Sequence, residues 1–239
     1  MEAAPPTRPA VEFLAGMRAQ LPILLGVVPF GVIFGALARS AGIPPLEAQG
    51  FSLLVFAGSA QFVAAGLVAE AAPPLVIVLT ILIVNLRHML YSATMAPHFE
   101  RLPRRWKIPL AWLLTDEAFA VGVLRYRRPD TRFAHWFFLG TGLALWGSWQ
   151  LSTAAGIALG GLIPASWMLD FALPLTFMAL LAPTLEDRPA NAAALTAAVV
   201  AVALAGLPYR LGLLLAALSG VAAGTALEWR AGSRTGETT

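Results

Sequence analysis

Eight runs of apolar residues follow one another along this chain, at 21–39, 50–70, 74–96, 108–124, 133–156, 168–184, 190–207 and 210–227. Most approach the ~20 residues an α-helix needs to cross ~30 Å of hydrocarbon. The pattern predicts an all-α, polytopic integral membrane protein of seven to eight hydrophobic segments. A tail over 1–20 would precede one transmembrane domain over 21–227, with a second tail over 228–239. Prolines such as Pro44, Pro45, Pro73, Pro74, Pro103, Pro129, Pro164, Pro189 and Pro208 fall in or beside the gaps, where the ring ends a helix. Three segments are irregular. The first carries Pro22, Gly26, Pro29, Gly31 and Gly35; the second has Ala57-Gly58-Ser59-Ala60 before Gln61; the sixth contains Pro174. Such residues serve either close helix packing or unwound backbone lining a substrate cavity, and the pattern leaves both open.

Charge adds a topology. Only 12% of the 239 residues are charged, and the 15 arginines and one lysine gather in the gaps, which is how orientation signals are distributed in membrane proteins. The pI near 9.9 therefore does not indicate a nucleic-acid binder. If all eight segments cross, the cations outside Arg87 divide 9 to 6 between the two sides. The short segment 108–124 has Asp116-Glu117 at its middle and four cations beyond each end. If it enters and returns on one side, the division becomes 12 to 3, a clear positive-inside bias. A re-entrant fourth segment is therefore favoured. Seven full crossings then set the N-terminus opposite the basic clusters at 101–107 and 125–132, unless the Gly/Pro-broken first segment also fails to span; the count leaves both open. No basic leader or early cleavage site marks a removable signal peptide.

The candidate chemistry is intramembrane charge, which is costly and usually marks a pathway or site. Asn85, His88 and Ser92 fall on one face of a continuous helix, with Arg87 and Tyr91 on the adjacent stripe. Arg87 cannot deprotonate. It needs Asp116 or Glu117 as counter-charge, a substrate carboxylate, or reach to the interface by snorkelling. Gly58, Ser59 and Gln61 offer hydroxyl, amide and bared backbone for a small zwitterion. His88, Asp116 and Glu117 are candidates for carrying a proton. Asp170, Trp167, Trp106 and Trp229 read as interfacial. The four-residue spacings Gly156-Gly160 and Gly220-Gly224 offer faces for another helix. With no cysteine, scattered histidines (His88, His98, His135) and no phosphate-cradling loop, the sequence predicts no metal, cofactor or nucleotide site.

Four stretches carry a resemblance. Val28-Pro29-Phe30-Gly31 through Gly42, Ser52-Leu53-Leu54-Val55-Phe56-Ala57-Gly58-Ser59-Ala60-Gln61-Phe62, Val84-Asn85-Leu86-Arg87-His88-Met89-Leu90-Tyr91 and Thr115-Asp116-Glu117-Ala118-Phe119 occur in this order. The chain resembles the AzlC branched-chain amino acid permeases over roughly residues 13–228. The resemblance implies export of valine, leucine and isoleucine across the bacterial cytoplasmic membrane. It also implies a small hydrophobic partner subunit of the AzlD type. Drive by a proton or ion gradient is the expectation for such a transporter. Substrate binding is expected of Gly58, Ser59, Gln61, Asn85 and Arg87, and coupling of His88, Asp116 and Glu117. Two rival classes remain open: a non-transporting membrane scaffold, and an intramembrane enzyme with Ser59 as nucleophile and His88 as base.

Overall fold

The computed structural model describes residues 8–128, 132–160, 185, 187–207 and 211–235. The predicted segment 168–184, with Trp167, Asp170 and Pro174, lies outside the described residues. The described chain is helical, in ten helices: α1 (Pro9–Ser40), α2 (Pro45–Leu54), α3 (Gly58–Ala69), α4 (Pro74–Val84), α5 (Arg87–Phe99), α6 (Arg104–Trp112), α7 (Asp116–Tyr126), α8 (Ala134–Leu159), α9 (Arg188–Ala203) and α10 (Leu211–Thr235). It forms two compact units. The first holds the residues up to Ala69 and those from Ile77 through α8; the second holds Glu70–Val76 and the helices α9 and α10. Among the described residues α1 alone is long and apolar enough to cross a membrane. The α4–α5 pair passes the same test together, bent by 42°.

The spine of the first unit is α1 against α8. Gly16 meets Phe137 and Thr141, Gly31 meets Ser152, and Gly35 meets Thr153 and Gly156. Residue numbers rise together along the seam, so the two helices are parallel. Their backbones nearly touch: a Cβ on Gly16 would overlap the Phe137 carbonyl, and one on Gly156 the Val32 carbonyl. Thr141 Oγ1 donates to the Gly16 carbonyl at 3.2 Å. The first segment is thus one unbroken 32-residue helix despite Pro22 and Pro29, and its small residues serve packing, not unwinding. It also starts well before Leu21, and buried Glu12, Gly16 and Gln20 carry the supposed tail into the core. Gly156→Val should lower stability by about 1–3 kcal/mol, because backbone cannot yield to the added volume. Gly147→Ala, which meets nothing, should be tolerated; thermal unfolding in detergent compares the two.

The fourth segment is a hairpin. Trp106 near the start of α6 packs on His135 and Trp136 at 4.7 and 4.8 Å. Further along, Trp112 reaches Trp146 at 5.8 Å and Leu113 rests on Gly142. The chain then returns: Gly122 lies against Phe138, and Arg125 pairs with Glu12. Both arms therefore begin and end where α1 and α8 begin, as the charge distribution predicts. We call this the basic end, since the 101–107 and 125–128 clusters sit there.

The second segment is also broken, at Val55-Phe56-Ala57, and its arms turn back at the opposite end. Connectivity requires it. α5 runs from mid-depth to the basic end, with Tyr91 stacked on Phe119, His98 on Tyr126, and Phe99 near Phe138. Since α4 continues α5 with only a 42° bend, it starts toward the opposite end. Only Glu70–Pro73 join α3 to α4, and five Cα steps reach about 18 Å at most, so α3 must end there too. The N-terminus consequently shares the basic end with both clusters. The segment count left the side of the N-terminus open; here the second segment, not the first, folds back as a second hairpin. Cysteines at Arg104 and Arg128 should react with an impermeant thiol reagent from the same side of the membrane, and a cysteine at Gly42 from the other.

The order long segment, then hairpin, occurs twice with opposite sense. Ser40, Pro45, Leu54, Gly58 and Ala69 correspond to Phe99, Arg104, Trp112, Asp116 and Tyr126, each pair 57–59 residues apart. The hairpin tips repeat even in hydrogen bonding. Ala57 N donates to Val55 O at 2.9 Å, as Thr115 N does to Leu113 O at 3.1 Å; Gln61 N donates to Ala57 O, as Phe119 N does to Thr115 O. These are two inverted repeats, an arrangement common in secondary transporters.

In the second unit α9 and α10 pack through small residues, with Gly220 against Ala193 and Ala197 and Gly224 against Ala193 and Pro189. Gly156 and Gly160, in the first unit, lie on Val32 and Ala36 of α1. Both glycine faces proposed for a partner are filled within the chain itself.

Candidate functional site

Three helix breaks meet at mid-depth. Phe56 of one hairpin tip lies 6.1 Å from Trp112 of the other. The N-termini of α3, α5 and α7 open beside them, at Gly58, Arg87 and Asp116. Each start has a local cause. At α7, Thr115 caps the helix by accepting from Ala118 N, with Asp116 and Glu117 in the first turn, the arrangement that best satisfies a helix start. Between α4 and α5 the ladder tightens to bonds between residues three apart, Leu86 N to Ile83 O and His88 N to Asn85 O, which bends the segment. Asn85 is therefore part of the bend, and the continuous face of Asn85, His88 and Ser92 expected from the sequence does not form.

Arg87 joins the parts. Its Nη1 donates to Asp116 Oδ2 and its Nη2 to Ser59 Oγ, both at 2.5 Å. One guanidinium thus bridges the two hairpins from the broken segment between them. It pairs with Asp116 and does not snorkel. The pair is one-third exposed, at 33% and 36%, so it is reachable. Arg87 Nε and Asn85 Oδ1 are buried without a hydrogen-bond partner among the described residues. The starts of α3 and α7 add positive partial charge beside the guanidinium, where the Asp116 and Glu117 carboxylates also lie.

The other predicted residues divide. His88 turns Nδ1 to the Asn85 carbonyl at 3.2 Å and packs edge-on against Tyr91. Among the described residues it makes no hydrogen bond to either acid. Glu117 follows Asp116 and is half-buried. Gln61 is not brought to Ser59: two helical positions are about 200° of turn apart, and Gln61 is fully buried with neither amide atom hydrogen-bonded among the described residues. Ser59 and His88 are engaged with different partners, Arg87 and Asn85. The contact of Phe56 with Trp112 has no counterpart in the sequence pattern. Thr115-Asp116-Glu117 carries a readable signal of a helix start, whereas Ala57-Gly58-Ser59-Ala60 marks the second segment as irregular without deciding between packing and a break.

Residues 22–163, from α1 through α8 and so most of the first unit, match the AzlC protein family. The chain is 30% identical to the inner membrane protein YgaZ of Escherichia coli, over 85% of this chain and 86% of that one. It is 33% identical to an uncharacterized membrane protein of Archaeoglobus fulgidus over 76% and 80%. It is 27% identical to the branched-chain amino acid transport protein AzlC of Bacillus subtilis over 63% and 57%. No solved structure matches this chain. A helical membrane protein with these relatives and two inverted, hairpin-bearing repeats around one ion pair, the chain belongs to the AzlC family of membrane transport proteins.

Proposed function

We propose that this protein exports branched-chain amino acids, with the substrate zwitterion exchanging partners with the Arg87–Asp116 pair. The observation that carries this reading is Arg87 bridging Ser59 and Asp116, accessibly, where three helix breaks meet. The substrate carboxylate takes a position at Arg87 and the N-termini at Gly58 and Ser59; its ammonium takes Asp116. Asn85 Oδ1 supplies a further acceptor. The inserted zwitterion leaves no charge unpaired, whereas a substrate of single charge strands one partner. The Bacillus subtilis relative's name points to the same substrate class.

By the positive-inside rule the basic end faces the cytoplasm. His88 and Glu117, beside the pair, are the coupling candidates alongside Asp116. A small membrane subunit of the AzlD type completes the exporter; the expectation rests on the family resemblance, since the glycine faces once assigned to it are occupied. Radiolabelled leucine binding to the purified protein tests the reading. Valine and isoleucine should compete, and glutamate and lysine should not. Absence of leucine binding with and without the small subunit would sink it.

A further inference from the structure

A groove of about 620 Å³ runs between α5 and α6. Its lining grades with depth. Ser92 and Leu114 lie at the deep end, next to Tyr91 and Thr115 of the site; Ala96 and Ala111 lie midway; Glu100 and Lys107 lie at the mouth. Because α5 descends to the basic end while α6 rises from it, each pair matches in depth. Met95 and Phe99 complete an apolar wall. Lys107 Nζ, held by the Glu100 carbonyl at 2.8 Å, places a cation at the opening. The groove thus runs from the basic end to Ser92 and Leu114, one residue short of Tyr91 and Thr115, with walls that suit an aliphatic side chain and one ammonium and one carboxylate at its mouth.

The inverted repeat supplies the counterpart. The stretch corresponding to this groove is Phe34–Ser40 of α1 with Ala48–Phe56 of α2. There the space is filled: Phe34, Ala36, Ala38, Ala48 and Ser52 are fully buried. Phe34 stacks on Trp149 at 6.2 Å and contacts Phe51 and Phe62 at 6.2 and 5.7 Å. Ser52 Oγ and Thr153 Oγ1 close the gap to α8 at 3.2 Å.

We propose that the α5–α6 groove is the route by which a branched aliphatic amino acid reaches Arg87 from the basic end, and that the Phe34–Phe51–Trp149 cluster is the closed form of the matching route at the opposite end. This inference rests on the transport reading. The structure is the conformer open to the basic end. The opposite conformer closes α5 on α6 and parts α1 from α2 by the same repeat-to-repeat geometry.

The chain has no cysteine, so single ones can be placed cleanly at Ala96 and Ala111, both exposed on the groove, and at buried Ala48. In membrane vesicles of both orientations, a sulfonated impermeant methanethiosulfonate should label Ala96→Cys and Ala111→Cys from the basic-end side only. Leucine at ten times its dissociation constant should slow that labelling about tenfold, as occupancy dictates. Ala48→Cys should be unreactive at rest and become reactive under transport conditions. Labelling of the groove cysteines only by a lipid-soluble maleimide would overturn the route, leaving a lipid-facing cleft. Labelling from the basic end at an unchanged rate while the same vesicles bind leucine would overturn the route alone. Vesicles that bind no leucine would overturn the transport reading with it.

Discussion

Arg125→Ala should destabilise this protein more than any substitution at the candidate site. Arg125 grips Glu12 with two parallel bonds, Nε to Oε2 and Nη2 to Oε1, each 2.8 Å. The side chains are only 6% and 8% exposed. Removing one partner of such a pair leaves the other charge buried and uncompensated, which costs about 3–5 kcal/mol. The expected observation is a large fall in thermal midpoint, or loss of the folded protein from detergent extracts. The double variant Glu12→Gln/Arg125→Met should recover much of that loss, because it removes both charges while keeping the volume. If Arg125→Ala unfolds at the wild-type temperature, the pair contributes nothing to stability and the hairpin is held by packing alone.

Arg87→Ala should do the opposite, disabling leucine binding while leaving the fold largely intact. Its pair with Asp116 is one-third exposed, so solvent screens the charge left behind and the expected stability loss is about 1 kcal/mol. Binding loses a charge-assisted contact to the carboxylate, worth about 1.5–3 kcal/mol, or roughly 10- to 150-fold in affinity. Adding Asp116→Asn should restore the small stability loss without restoring binding, because the ammonium then lacks its partner as well. Arg87→Ala with normal leucine affinity would place the substrate elsewhere. Normal affinity combined with a large drop in thermal midpoint would make the pair structural.

The two ion pairs also show how far the sequence could be read. Arg87 was legible because a permanent cation in an apolar run demands a partner, and Asp116-Glu117 supplied the nearby acids. The hairpin at 108–124 was legible from acids at its middle and cations at both ends. Glu12 was not: it lies in a Pro/Ala-rich stretch that reads as a tail, and its partner Arg125 reads as one of several topology signals. Pairing across more than a hundred residues leaves no local pattern. The second hairpin was half legible, since Ala57-Gly58-Ser59-Ala60 marks an irregular segment without deciding between packing and unwinding. Val55-Phe56-Ala57 is apolar with no proline, so its break depends on the tertiary setting, where Trp112 and Trp149 lie against Phe56 and Gly58. Pro22 and Pro29 sent the opposite signal, and the glycine seam with α8 holds that helix together regardless.

That seam has a consequence for how the protein is made. The α8 residues that seal Gly16, Gly31 and Gly35 of α1 are synthesised more than a hundred residues after them. At about 5–20 residues per second, the first helix waits roughly 6–25 s for its partner. During that interval Glu12 lacks Arg125 and the Gly16 carbonyl lacks Thr141. The nascent protein therefore passes through a period in which α1 is in the membrane with an open face and an unpaired acid. Survival then depends on how fast α7 and α8 arrive, not on the stability of the finished fold. Chains stalled between α1 and α8 belong to the quality-control machinery of the membrane.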